Sequence, residues 1–293
     1  MKNRTRLLSL VAIVTVAGCT AKETPNPADS TAMAGAPAAT AAAPNVVNIT
    51  ASEYKFEAPA EVPAGMTTFT LTDGGKEIHH AQLIKLDSGK TMDDMMAGMK
   101  ATKPGTPPPG WVIAAGGANA VAPGNSASLT LNLEPGNYVL ACFIPDAKGV
   151  PHFMHGMVKT LKVTPNAAAN TTPPTSDITL TLSDYKFDFS SPLTAGQHTL
   201  KIQTAPGQPH EFTLFQLAPG KTAADVVKFV EGGDVGTPPG KPIGGVVALA
   251  PGRDVFYTVD LKPGDYAAIC FLDDGKDGKP HYTHGMSQTI KIS

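Results

Sequence analysis

The chain has 293 residues, 42% of them hydrophobic, and a formal net charge of −2. That length is enough for two ordinary domains, each with its own core. The near-neutral charge, with no Lys/Arg cluster interleaved with aromatics, excludes the electrostatic footprint of a nucleic-acid binder.

The N-terminus carries a basic start (Lys2, Arg4, Arg6), an apolar run from Leu7 to Ala17, and then Val16-Ala17-Gly18-Cys19. The run is too short to span a bilayer, and its small-residue end predicts an export signal over 1–19. Val16 to Cys19 resembles the lipobox of bacterial lipoproteins, which implies cleavage before Cys19 and lipidation of its sulfur. Thr20 follows rather than Asp. Under that resemblance the chain is lipid-anchored in the bacterial envelope, at the outer membrane and facing the periplasm. An ordinary signal peptide is the alternative. Residues 20–45, rich in Ala, Pro and Thr, predict a flexible tether, and a shorter segment of similar composition at 165–176 predicts a linker.

Two related blocks, 46–164 and 177–293, occupy the rest. Tyr54-Lys55-Phe56 returns as Tyr185-Lys186-Phe187, Ala64-Gly65 as Ala195-Gly196, and Gly105 to Pro108 as Gly236 to Pro239, all at an offset of 131. Leu133 to Tyr138 returns as Leu261 to Tyr266 at 128, and His152 and Met157 return as His281 and Met286 at 129. Two small indels account for the changes, so this is a tandem duplication that predicts two domains.

Within each block, runs such as Val47-Asn48-Ile49-Thr50 and Leu129 to Leu133 alternate with period two between Gly/Pro/Asn/Asp clusters. That pattern predicts an antiparallel β-sandwich in each half. The Leu-x-Pro-Gly-x-Tyr stretches resemble the tyrosine corner of Greek-key sandwiches, and each feeds a strand that ends at a cysteine. One helical insertion is predicted per block, opening at Thr91 with Asp94 and at Thr222 with Asp225. Met92, Met95, Met96 and Met99 form a stripe on the first helix. Aliphatic residues replace them in the second, so the stripe reads as core rather than as a soft-metal site.

Seven of the eight histidines fall in two kinds of segment. One is the stretch after each cysteine: Cys142, His152, His155 and Met157, then Cys270, His281, His284 and Met286. The other lies upstream, where His79 aligns with His210 and His80 with Glu211. Two imidazoles, one thiolate and one weak thioether are the donor set of trigonal electron-transfer copper, whereas zinc sites favour closely paired Cys or His and no Met. With Cys19 removed by lipidation, Cys142 and Cys270 could alternatively form a disulfide. That would require two equivalent strand ends within about 7 Å at Cα.

Each block resembles a cupredoxin, the plastocyanin and azurin fold, over nearly its whole length. The family order of upstream His, strand-end Cys, then loop His and Met falls on His79, Cys142, His152, Met157 and on His210, Cys270, His281, Met286. The Cys-to-His spacing is longer than in plastocyanin and nearer the long loop of copper nitrite reductases. The resemblance implies an all-β chain of two tandem Greek-key β-sandwich domains with short helical insertions, and up to two type 1 coppers. It implies an electron carrier with a periplasmic redox partner, using His152 and His281 as electron ports. A copper buffering or delivery protein, with a copper donor or acceptor as partner, is a second reading, and a binding module that has lost its metal is a third. Copper oxidases and nitrite reductases of this family route electrons through a His beside the copper cysteine. Ala141, Phe143, Ile269 and Phe271 stand there instead, so the expectation is that the chain is not an enzyme. His80, His155 and His284 are candidates either for orienting the ligand loop or for a weaker second metal site.

Overall fold

The computed structural model describes residues 43–87, 89–101 and 108–293; Cys19, the export signal and most of the tether lie outside them. Ala41–Ser293 forms one compact unit. Among the described residues, no helix is long and apolar enough to cross a membrane.

The first half contains β1 (Asn45–Ser52), β2 (Lys55–Glu57), β3 (Glu61–Pro63), β4 (Gly65–Asp73), β5 (Gln82–Leu86), α1 (Met92–Ala101), β6 (Val112–Ala114), β7 (Ser126–Leu133), β8 (Gly136–Ala141) and β9 (Val158–Thr164). The second half repeats the order without a counterpart of β3, with β10 (Ile178–Ser183), β11 (Lys186–Phe189), β12 (Gly196–Thr204), β13 (His210–Leu217), α2 (Ala223–Glu231), β14 (Gly240–Leu249), β15 (Asp254–Leu261), β16 (Gly264–Ile269) and β17 (Ser287–Ile292). Each half is a sandwich. In the first, β2-β1-β4-β7 faces β3-β9-β8-β5-β6; in the second, β11-β10-β12-β15 faces β14-β13-β16-β17. The opening strands β1 and β10 run parallel to β4 and β12, and most other pairs are antiparallel.

Alternation explains the layering, because successive strand side chains point to opposite faces. Val47, Ile49 and Ala51 of β1 and Phe69 and Leu71 of β4 turn inward and are buried. The other face of β4 pairs hydroxyls with β7, Thr68 with Thr130 (2.7 Å) and Thr70 with Ser128 (2.9 Å). Both tyrosine corners are formed: Tyr138 Oη donates to Glu134 O (3.1 Å) and Tyr266 Oη to Lys262 O (3.0 Å). Both helices begin where the sequence predicts. The Asp94 amide donates to Thr91 Oγ1 (3.2 Å), and Thr222 with Asp225 closes a full capping box. Met95 of α1 is buried and Met92, Met96 and Met99 pack partly against the core.

The halves are joined rather than strung apart. The stretch 165–176 packs on the start of β4, where the Met66 amide donates to Asn170 O (2.7 Å). Strand β7 pairs antiparallel with β15, with Leu129 opposite Tyr257, so the outer sheets form one eight-stranded sheet. Ala118 likewise lies opposite Val246, flanked by Ala115–Leu249 and Val121–Ile243. In the repeat's own register of 128, residue 129 corresponds to 257 and 118 to 246. Equivalent segments therefore pair with each other about a local two-fold axis, as in an isologous dimer.

Candidate metal centres

His79 lies three residues before β5 and His210 opens β13, while Cys142 and Cys270 follow directly on the last residues of the neighbouring strands β8 and β16. β5 pairs with β8 and β13 with β16, which brings the two segments side by side. A glycine pair shapes the strand on the other side of each upstream segment. Gly117 (φ 126°) and Gly245 (φ 119°) sit so close to the carbonyl oxygens of Ala81 and Phe212 that an added Cβ would lie 2.1 and 1.9 Å away. Only glycine fits that approach and that φ.

The post-cysteine loop is fixed by the backbone. The Phe153 amide donates to Cys142 O (2.8 Å), His152 to Ile144 O (2.9 Å), Met157 to His152 O (3.1 Å) and Cys142 to Met157 O (3.2 Å). The second half repeats the set: Tyr282 to Cys270 O (3.1 Å), His281 to Leu272 O (2.8 Å), Met286 to His281 O (3.1 Å) and Cys270 to Met286 O (3.0 Å). A 3-10 turn, His152–His155 or His281–His284, ends at a glycine with positive φ and returns the chain to the methionine.

The result is two buried clusters, His79–Cys142–His152 and His210–Cys270–His281, with each set of donor atoms within 4.8 Å of one another. Nδ1 of His79 faces Nδ1 of His152 at 3.1 Å, and Cys142 Sγ lies 3.5 Å from the latter. The second centre has 3.1 Å between its imidazoles and 3.3 Å from Cys270 Sγ to His281 Nδ1. Met157 and Met286 are fully buried and bracket the cysteines through the backbone bonds above. Cys142 and Cys270 are both free thiols, so the disulfide alternative is not realised.

The imidazoles are poised to bind a metal, while the buried thiols must lose their protons to bind it. Burial holds the imidazoles of His79, His152 and His210 below their ordinary value and lowers His281 to about 4. Neutral imidazoles are competent ligands. Burial pushes the Cys142 thiol up to about 12 and Cys270 well above its usual value, partly opposed by backbone amides, those of His80 and Ile144 at Cys142. Metal bonds of about 2.0–2.1 Å to nitrogen at angles of about 95–110° would set two ligand nitrogens about 3.0–3.4 Å apart. The observed 3.1 Å falls in that range, so the residues fit a small metal ion.

The remaining candidates take other places. His80 Nε2 accepts from the Phe143 amide (2.8 Å), and burial lowers its pKa to about 3. Glu211 does the same work opposite it, its Oε1 accepting from Phe271 N (2.7 Å). Both pin the residue after the cysteine. His155 Nε2 lies 3.0 Å from Asp146 Oδ2, and its ring stacks on Tyr54 at 4.5 Å. His284 pairs with Asp277 at 3.2 Å, in a group with Asp274. The Asp274 carboxylate is already engaged by Tyr185, Gln208 and backbone amides. His152 and His281, expected as electron ports, are fully buried and stand behind Tyr54 (4.8 Å) and Tyr185 (5.7 Å).

Sequence reasoning missed the carboxylates on the outward nitrogens. His210 Nε2 bonds Asp184 Oδ1 (2.9 Å), and His152 Nε2 lies 2.9 Å from Glu77 Oε2, off the hydrogen-bonding direction. Glu53 and Asp274 stand farther from His79 and His281, at 3.6 and 3.8 Å. The signal was the acidic residue before the repeated Tyr-Lys-Phe: Glu53-Tyr54 and Asp184-Tyr185.

No protein-family model and no curated protein matches the chain. Among solved structures, dithionite-reduced auracyanin from Roseiflexus castenholzii is 23% identical and covers 42% of this chain and all of its own, with a TM-score of 0.30. A blue copper oxidase from Nitrosomonas europaea (15% identity, 85% of this chain, 86% of its own, TM-score 0.26) matches across both halves. So does a copper-containing nitrite reductase from Thermus scotoductus (11%, 86% and 62%, 0.25). The expectation that the chain is not an enzyme is corrected here. It rested on the residues beside Cys142 and Cys270, and copper enzymes are among the structures that match over most of the chain. At these identities the likeness is one of fold. On its own strand order the chain has the fold of two tandem cupredoxin-like β-sandwiches, each holding a His–Cys–His cluster.

Proposed function

We propose that this is a type 1 copper protein that carries electrons, with one mononuclear site in each half. The observation that carries the reading is the convergence, twice over, of two neutral imidazole Nδ1 atoms and one buried thiol at ligand spacing. His79, Cys142 and His152, with Met157 as a weak thioether donor, would hold one copper; His210, Cys270, His281 and Met286 would hold the other. Bound copper would supply one-electron exchange there. The protein's part is to keep the donors still. Four backbone hydrogen bonds tie each loop across the cysteine, and His80 or Glu211 anchors the following amide. A cage that need not rearrange between oxidation states lowers the cost of each transfer. His80, His155 and His284 orient this cage through Phe143, Asp146 and Asp277.

Attachment to the cell envelope through a lipid on Cys19, with a redox protein of the periplasm as partner, completes the proposal on the strength of the N-terminal sequence. A reductant should bleach the copper-loaded chain and an oxidant should restore it over repeated cycles, with the metal retained in the presence of a Cu(I) chelator. Transfer of copper to the chelator on the first reduction would contradict a carrier and favour copper delivery.

A further inference from the structure

The repeated acidic-Tyr-Lys-Phe motif lies far from either cysteine in sequence, yet the turn that carries it folds over the metal cluster in both halves. Its tyrosine covers the loop histidines, Tyr54 against His152 and His155 and Tyr185 against His281 and His284. Its acid reaches the upstream histidine, Glu53 toward His79 and Asp184 onto His210. A second acid stands beside the loop histidine without hydrogen-bonding to it, Glu77 2.9 Å from His152 and Asp274 3.8 Å from His281. All four ligand imidazoles therefore have a carboxylate within 3.8 Å of Nε2, though only His210 makes the hydrogen bond and the Nε2 atoms of His79, His152 and His281 are left without one, while the Nδ1 atoms face inward. Each centre has one close contact of 2.9 Å and one longer contact.

We propose that these carboxylates, Glu53 and Glu77 in the first centre and Asp184 and Asp274 in the second, are positioning residues that aim Nδ1 at the metal and bias both centres toward the oxidised ion. The inference rests on the copper reading above. An imidazole that coordinates through Nδ1 keeps its proton on Nε2. A carboxylate accepting that proton fixes the tautomer and strengthens the nitrogen as a donor. Negative charge near the metal also favours the doubly charged over the singly charged ion. Three of the acids are held in place by further hydrogen bonds: Glu53 accepts from the amides of Lys76 and Glu77, Asp184 from Lys276 Nζ, and Asp274 from Tyr185 Oη and Gln208 Nε2.

The test uses the full chain with one centre silenced. In a Cys142→Ser background, Asp184→Asn should raise the midpoint potential of the second centre. In a Cys270→Ser background, Glu77→Gln should raise that of the first. Each shift should correspond to at least a tenfold fall in the Cu(II)/Cu(I) affinity ratio, about 59 mV for a one-electron couple. A potential unchanged in both variants, with copper fully bound, overturns the proposal and leaves the copper reading standing. A copper-free arm separates the two. Nitrogen-15 spectra should place the His210 proton on Nε2 in the parent chain and show that preference weakened by Asp184→Asn. A proton on Nδ1 in the parent overturns the proposal whatever the metal does. Failure of the parent to take up copper, with the Nε2 proton in place, sinks the copper reading and the redox bias together but not the tautomer assignment.

Discussion

Glu211 and His80 occupy equivalent positions and accept the same backbone proton, yet only one of them is a carboxyl buried beside a thiol. Burial pushes Glu211 up to about 7 from an ordinary 4.5. Below pH 4.5 the folded and unfolded chains both hold the proton, and burial of the acid costs nothing. Between 4.5 and 7 the unfolded chain alone ionises, so stability falls as pH rises; above 7 the full penalty, on the order of 3 kcal/mol, is in place. Copper-free Glu211→Gln should match the parent near pH 4.5 and exceed it at pH 8 in denaturant melts, because the amide oxygen can still accept from Phe271. A stability difference that does not vary with pH would contradict this. The ligands themselves were legible residue by residue, because the duplication gave each a partner: His79 was preferred over His80 when His80 aligned with Glu211. The carboxylates at Nε2 were legible only in part, as the acid before each repeated Tyr-Lys-Phe. Glu53 and Asp184 differ in length, and Glu77 and Asp274 come from different segments, so only folding shows that they converge.

Among the elements, the strands opposite the upstream histidines carry the tightest constraint. Gly245→Ala must move the Phe212 carbonyl, two residues from His210, and force alanine into a positive φ. The expected cost is roughly 3 kcal/mol or more, with weakened metal binding in the second half. Gly124→Ala also places alanine at positive φ (76°) but meets nothing within 4 Å, so about 1–2 kcal/mol is expected. Equal losses for the two in chemical denaturation would argue against the close approach as the cause. Strand alternation, the tyrosine corners and the helix starts were all readable, since each is local chemistry: period two, a fixed Tyr spacing, a Thr–Asp cap. The pairing of residues 114–122 with β14 was not, because a short Ala/Gly-rich stretch has no periodicity that names its partner.

The two described halves behave as an internal dimer with shared sheet and core. Asn119 sits on this junction, its Nδ2 donating to Thr213 Oγ1 (2.8 Å) and Val246 O (3.0 Å) across it. Calorimetry of the copper-free protein should show one cooperative transition, and Asn119→Leu, which strands buried acceptors, should cost about 2–4 kcal/mol. Two separate transitions in the parent chain would contradict the joined architecture. The duplication was plain in the sequence, but composition alone did not show that the linker 165–176 packs on the start of β4. Continuity of the sheet depends on β7 and β15 meeting at equivalent residues, which no single repeat encodes. The central claim is that each half holds copper through its own cysteine. Titration of Cu(II) into the full chain, followed by visible absorption, tests it most directly. The account expects an intense thiolate-to-copper band that saturates near two equivalents, with Cys142→Ser and Cys270→Ser each removing about half of it. A chain that develops no such band, or a band that survives both substitutions, would contradict it.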